Sequence, residues 1–163
     1  MRQTLLAAAS LLFGLALPGV PAIAAPDTAF LQDAVAGDNG EVALGRLAQQ
    51  RSHDPRVRRF GALLVKDHGM AKQQVLATAR RSHVRIDAAM MKPDADQARR
   101  ALMGARGREF DRMFAQHMVE DHRTDIAKFE QQAKGGDPVT ARLAQATLPH
   151  LRHHLEVAES LPH

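Results

Sequence analysis

The 163-residue chain has no cysteine, no tryptophan and no tyrosine. Lacking cysteine, it can form neither a disulfide nor a thiolate metal site, and it cannot carry a lipid on an N-terminal Cys. Lacking Trp and Tyr, it has no aromatic platform for sugars or bases. Strand signals are missing too: β-branched residues are sparse and no stretch alternates with period two. There is no glycine-rich phosphate loop, no nucleophile motif and no Glu-x-x-His anywhere. Only one long apolar run occurs, Leu5 to Leu17, and it is too short to span a bilayer.

That run has the anatomy of a signal peptide. Arg2 precedes it, Pro18, Gly19 and Pro21 break it, and Ala22-Ile23-Ala24 supplies a small-x-small cleavage site. A cut after Ala24 is expected, because a cut after Ala25 would leave Pro26 just past the scissile bond. Residues 1–24 are therefore read as a signal and 25–163 as one domain with no membrane-spanning segment, exported to the periplasm, with outer-membrane association left open. The formal charge of +4 comes from 22 basic and 18 acidic residues. Clusters such as Arg56, Arg58 and Arg59, or Arg99 and Arg100, are short and mixed with acids, as on solvated helix faces. No nucleic-acid partner is implied.

Stop signals divide the mature chain into helices. Asp27 is an N-cap for a first helix reaching about Ser52. Asp54-Pro55 starts a second that runs to about Val84. Residues 85–106 form a connection with a short helix expected from Asp94 to Met103. A third long helix spans about Gly107 to Lys134 and ends at Gly135-Gly136. Asp137-Pro138 opens a fourth, which runs to about Leu161 with Pro149 inside it. The expectation is all-α, with antiparallel partners around the tight turns at 53–54 and 135–137. Whether the long connection is a crossover or a loose hairpin stays open.

The inward face of each helix follows from apolar residues at alternating three and four spacing. The first reads Phe30, Ala34, Gly37, Glu41, Leu44, Ala48. The second reads Val57, Gly61, Leu64, His68, Ala71, Val75. The third reads Asp111, Phe114, Met118, His122, Asp125, Phe129. The fourth reads Leu143, Thr147, His150, His154, Val157, Leu161. Every seam thus carries an acid or a histidine near its middle. Glu41 and His68 lie at heights about 3 Å apart, counted from the first turn at 1.5 Å per residue.

A lone carboxylate in such a core is costly, so Glu41 needs partners. One reading is a metal site built from Glu41, His68, His122, His150 and His154. Another is a metal-free network in which Glu41 accepts from imidazole N–H groups. A third places one or two of these histidines on the surface. Helices two and three share a local pattern, FGALLVKDH ending at His68 and FAQHMVEDH ending at His122. Asp67 and Asp121 could each hold a neighbouring imidazole from behind, or pair with surface cations. Asp111 and Asp125, on the third seam, are further candidates for such supporting roles. His117 and His153 fall away from the seam centres and read as solvated.

These residues also carry a family resemblance. Glu41 in EVALGRLA, Lys66-Asp67-His68, Gly107 with Phe110-Asp111, Val119-Glu120-Asp121-His122, and LPHLRHHLEVA from Leu148 resemble an uncharacterised family of exported bacterial ferritin-like proteins, a domain of unknown function often labelled as predicted outer-membrane proteins. The resemblance implies a ferritin-like antiparallel four-helix bundle with a short extra helix in the connection, and implies no activity. With one seam glutamate and no Glu-x-x-His, the donor set suits Zn(II) or Cu(II) better than a di-iron centre. The functional expectation is a periplasmic metal-binding bundle acting in metal handling or envelope stress. The alternative is a non-catalytic structural or interaction protein with a buried Glu–His network. An enzyme using the ion has no motif in its favour.

Overall fold

The computed structural model describes residues 25–161, so the segment read as a signal, residues 1–24, lies outside the described residues. Five helices account for most of the rest: α1 (Thr28–Arg51), α2 (Pro55–Arg81), α3 (Pro93–Gly104), α4 (Gly107–Gly135) and α5 (Pro138–Glu159). No strand occurs among the described residues. The boundaries follow from local chemistry. Asp27, Asp54 and Asp137 each accept a backbone N–H of the following turn, at 2.9, 2.7 and 2.9 Å. Pro55, Pro93 and Pro138 sit where a missing N–H costs nothing. Although Pro149 lies within it, α5 is assigned as one helix. No described helix is long and apolar enough to cross a membrane.

The long helices form two antiparallel hairpins. In α1–α2, Asp38 meets His68 while Gly45 meets Gly61. The second contact fixes the spacing: a Cβ on Gly45 would lie 2.6 Å from the Gly61 carbonyl oxygen, and one on Gly61 only 2.5 Å from that of Gly45. Only two glycines let these backbones touch. In α4–α5, Arg123 pairs with Glu159 at 2.7 Å and Glu130 with Arg152 at 2.8 Å. Helix α1 packs on α2 and α4, and α5 packs on α4 and α2, so α2 and α4 lie diagonally across the interior.

Two apolar clusters fill that interior, one toward each end. The first gathers Leu44, Ala48, Val57, Phe60, Phe110, Phe114, Met118 and Ala158. The second gathers Leu31, Val35, Val75, Ala79, Phe129, Ala144, Leu148 and Leu151. The starts of α2 and α4 therefore share one end, and the starts of α1 and α5 the other. The caps agree, because the Asp27 N–H donates to Asp137 at 2.8 Å. The connection must then travel the length of the molecule. Val84 and Ile86 pack on the second cluster, while Leu102 and Ala105 belong to the first. It is a crossover, and hydrogen bonds from Gln32 to Asp87 and from Asn39 to Met90 fasten it along α1.

Between the clusters lies a polar layer. Asp38, Glu41, His68, His122, Asp125 and His154 are all buried there, each at most 7% exposed, with Lys92 entering from the crossover.

Candidate metal centre

Three histidines from three helices meet at the middle of this layer. Their ring centroids form a nearly equilateral triangle: His68–His154 5.2 Å, His122–His154 5.4 Å and His68–His122 5.8 Å. Phe60 closes one side, 6.1 Å from the His154 ring and 6.5 Å from that of His122. One ring nitrogen from each histidine lies within 4.8 Å of the other two.

Their outer partners fix which nitrogen each ring turns inward. His122 Nδ1 lies 2.9 Å from the Met118 carbonyl oxygen, which can only accept, so that nitrogen carries the proton. His68 Nδ1 lies 2.8 Å from Asp38, and His154 Nε2 lies 3.0 Å from Asp67. Asp67 likewise holds the proton on the His154 nitrogen facing it, and Asp38, which burial raises well above the ordinary carboxylate range, does the same for His68 Nδ1 in its ionised form. The remaining nitrogens, His68 Nε2, His122 Nε2 and His154 Nδ1, are buried without a hydrogen-bond partner. Three lone pairs are left with no donor among the described residues.

Burial keeps these rings neutral. It depresses His68 to about 4, and burial together with the neighbouring His68 brings His122 to about 3 and His154 to about 4. At neutral pH all three are therefore neutral imidazoles, each with one N–H and one free lone pair.

The other half of the layer is acidic. Glu41, Asp121 and one nitrogen of His122 form a second group within 4.8 Å. Burial first, and then the charge of Asp121, push Glu41 well above the usual carboxylate range. Burial also works to raise Asp121, but the hydrogen bond from Glu41 and the charge of Lys92 bring it below its ordinary value. Glu41 thus keeps its proton and donates it to Asp121. The two halves are related by a rough two-fold exchange of α2 with α4: Asp67 holds His154 of α5, and Asp121 holds Glu41 of α1. The shared FGALLVKDH and FAQHMVEDH segments are the sequence trace of it, with Phe60 against Phe114 at 6.1 Å and His68 against His122.

Beyond these, Lys92 extends its ammonium to Asp125 at 2.8 Å and Asp33 at 3.7 Å. Burial opposes its charge, but the charge of Asp125 and the hydrogen bond to it outweigh that and raise its pKa. Burial and Asp121 raise Asp125 to about 6.

Of the residues expected in the site, His68, His122 and His154 converge, and Glu41 adjoins them through His122. His150 does not join them: it is exposed, at the rim of a cleft between α2 and α5 floored by His68 and His154. The inward face of α5 is Ala144, Leu148, Leu151, His154 and Ala158, rotated from the seam read in the sequence, which only His154 and Leu161 share with the buried set. Leu143 and Val157 make the flank nearly as apolar as the true face, so periodicity did not separate the two. Asp67 supports an imidazole, whereas Asp121 faces a carboxyl group. Asp111 is remote from the layer in its bonding, accepting from Ser52 Oγ at 2.5 Å beside the α1–α2 turn. Asp125 serves Lys92. His117 is half-buried, with its Nε2 sheltered rather than solvated. Two participants had escaped notice. Asp38 lies three residues before Glu41 on the same broad face of α1, a spacing that could have flagged it. Lys92 sits in a connection where no periodicity operates.

Fold and layer together define an all-helical protein of two hairpins joined by a crossover, with a histidine-rich core. A family model described as a domain of unknown function, DUF4142, matches residues 15–161, and the chain belongs to that family. Searches of curated proteins and of solved structures return no match.

Proposed function

We propose that this is an exported, ferritin-like helical bundle that holds one transition-metal ion, Zn(II) or Cu(II), between His68 Nε2, His122 Nε2 and His154 Nδ1, and that it serves metal handling in the periplasm. One observation carries the reading: three buried histidines that each bring a ring nitrogen within 4.8 Å of the other two each also have a sheltered ring nitrogen with no hydrogen-bond partner. A buried acceptor without a donor costs on the order of 1–3 kcal/mol, and a cation relieves three at once. The donor set fits. Three neutral imidazole nitrogens are donors that Zn(II) or Cu(II) would accept. Asp38, Asp67 and the Met118 carbonyl act as the supporting acceptors that such imidazoles need. The ion would supply Lewis acidity or redox capacity at an incomplete three-nitrogen site.

The single crossover between paired helices supports the ferritin-like part of the reading. Residues 1–24 support export. The metal-free network accounts for the Glu41–Asp121 bond but leaves the three nitrogens unsatisfied, so it is the weaker account. Purified mature chain reconstituted with Zn(II), then dialysed, is expected to keep about one equivalent by elemental analysis, and His122→Ala to keep almost none. Equal, trace retention by both proteins would refute the reading.

A further inference from the structure

The partnerless nitrogens of the three histidines are sealed from solvent, so an ion needs a way through the wall. A cleft of about 100 Å³ between α2 and α5 supplies one, with His68 and His154 forming its floor. The hollow between the end of α2 and the start of α5, and those beside α4, touch none of the three histidines. The chemistry of the cleft suits a cation. Three of the other hollows each carry two basic side chains, whereas its own lining has no Lys or Arg. Its one carboxylate, Asp67, bonds His154 on the inside and meets the exposed Lys66 ammonium only at 3.9 Å. At the rim stands His150, exposed and one turn before His154 on α5. Side chains four apart on a helix lie about 5–6 Å from each other at Cβ. Burial is the first cause of the low His68 pKa, and a charge on His150 lowers it further, so rim and floor are within electrostatic reach.

We propose that this cleft is the route by which the ion enters and leaves, and that His150 captures the ion in transit and passes it to His154 and His68. The route presupposes the tri-histidine site and adds how that site exchanges its ion. A space of about 10–15 Å³ holds one water, so the cleft admits a cation with part of its hydration shell. At the rim, the lone pair of a neutral His150 replaces one of those waters. One turn further in, the buried nitrogens replace others, and the rim imidazole lets go. A side chain that ligates only in transit lowers the same barrier from both sides. It changes loading and release equally and leaves the dissociation constant alone.

Stopped-flow absorbance with a chromophoric zinc indicator tests this on the mature chain. Loading is read as zinc leaves the indicator, and release as bound zinc moves to an excess of it. Ala146→Phe and Gln74→Phe add a ring from either wall of the cleft, both at exposed positions. Either ring should slow both rates at least about tenfold. His150→Ala should slow both about fivefold, with one equivalent still held at equilibrium. His117→Ala, in the hollows beside α4, should match wild type. Wild-type rates in both ring variants remove the route, and wild-type rates in His150→Ala remove the capture step; either result overturns the proposal. Slower loading with a weaker dissociation constant would make His150 an equilibrium ligand and overturn it too. In all these cases wild type holds its zinc. A wild type that keeps none refutes the tri-histidine site itself, and the route with it.

Discussion

Asp67 of α2 accepts the Nε2 proton of His154 of α5 at 3.0 Å, across the interface between the two hairpins. The bond sets the tautomer, and so leaves Nδ1, not Nε2, facing the other two imidazoles. Asp67→Asn keeps the size but removes the charge that holds the proton in place. Zinc affinity should fall about 10–100-fold, the usual effect of losing such a support, with helicity unchanged. Competition with a chromophoric chelator measures this, and an unaltered dissociation constant would show that Asp67 does not orient His154 for a ligand.

Metal retention should be insensitive to pH over an unusual range. A proton competes with a metal only below the pKa of the folded ligand, and burial places His68, His122 and His154 at about 4, about 3 and about 4. An ordinary imidazole, near 6.5, would begin to lose its ion around pH 6. Zinc should stay bound from pH 8 to about 5 and leave near pH 4, followed by equilibrium dialysis. Release centred near 6.5 would contradict the burial.

Metal-free stability responds to the same groups with a definite sign. The unfolded histidines take protons as pH falls below 6.5 while the folded ones do not, so their contribution is present above 6.5 and lost between 6.5 and about 4. Glu41, Asp38 and Asp125 act oppositely. Their folded forms keep protons that the unfolded forms release, so that contribution is lost as pH rises, through about 6 for Asp125. Urea midpoints of His68→Gln against wild type isolate the first slope. The variant should lose less stability than wild type between pH 6.5 and 4.5, and parallel curves would refute the assignment.

Two glycines of α2 should respond in opposite directions to one substitution. Gly61→Ala places a methyl group 2.5 Å from the Gly45 carbonyl oxygen and 2.9 Å from the Ala48 Cβ, and forcing such a contact costs about 1–3 kcal/mol. Gly69 has nothing within 4 Å of its added Cβ, so Gly69→Ala should gain about 0.5–1 kcal/mol from helix propensity alone. Denaturant melts of both variants decide the matter. Equal effects would mean that α1 and α2 are not in contact at Gly45 and Gly61.

The long helices were legible because Asp27, Asp54-Pro55 and Asp137-Pro138 are start signals whose chemistry is complete within a few residues. The seams of α1, α2 and α4 were legible because Leu44, Leu64, Phe114 and Phe129 leave one apolar face each. Lys92 was not, since an extended crossover has no period to read and its target depends on which helices it crosses. The crossover itself needed coordinates, because both routes satisfy the same chain length. Asp38 fell between these cases: α1 buries a face wider than a single stripe, hidden by its glycines and alanines.

The helix that misled the periodic reading gives the sharpest test of where the ligands lie. His150 and His154 are one turn apart, and a seam through both predicts that either can hold an ion. In the fold they separate, with His154 1% exposed against His68 and His122, and His150 out at the cleft rim. Four residues span about 400° of helix, about 40° past a full turn, which turns His150 from the interior toward the cleft. His154→Ala should therefore abolish zinc retention, while His150→Ala keeps about one equivalent and melts at the wild-type temperature. Retention lost equally in both would place the ion in the cleft and move the site out of the core.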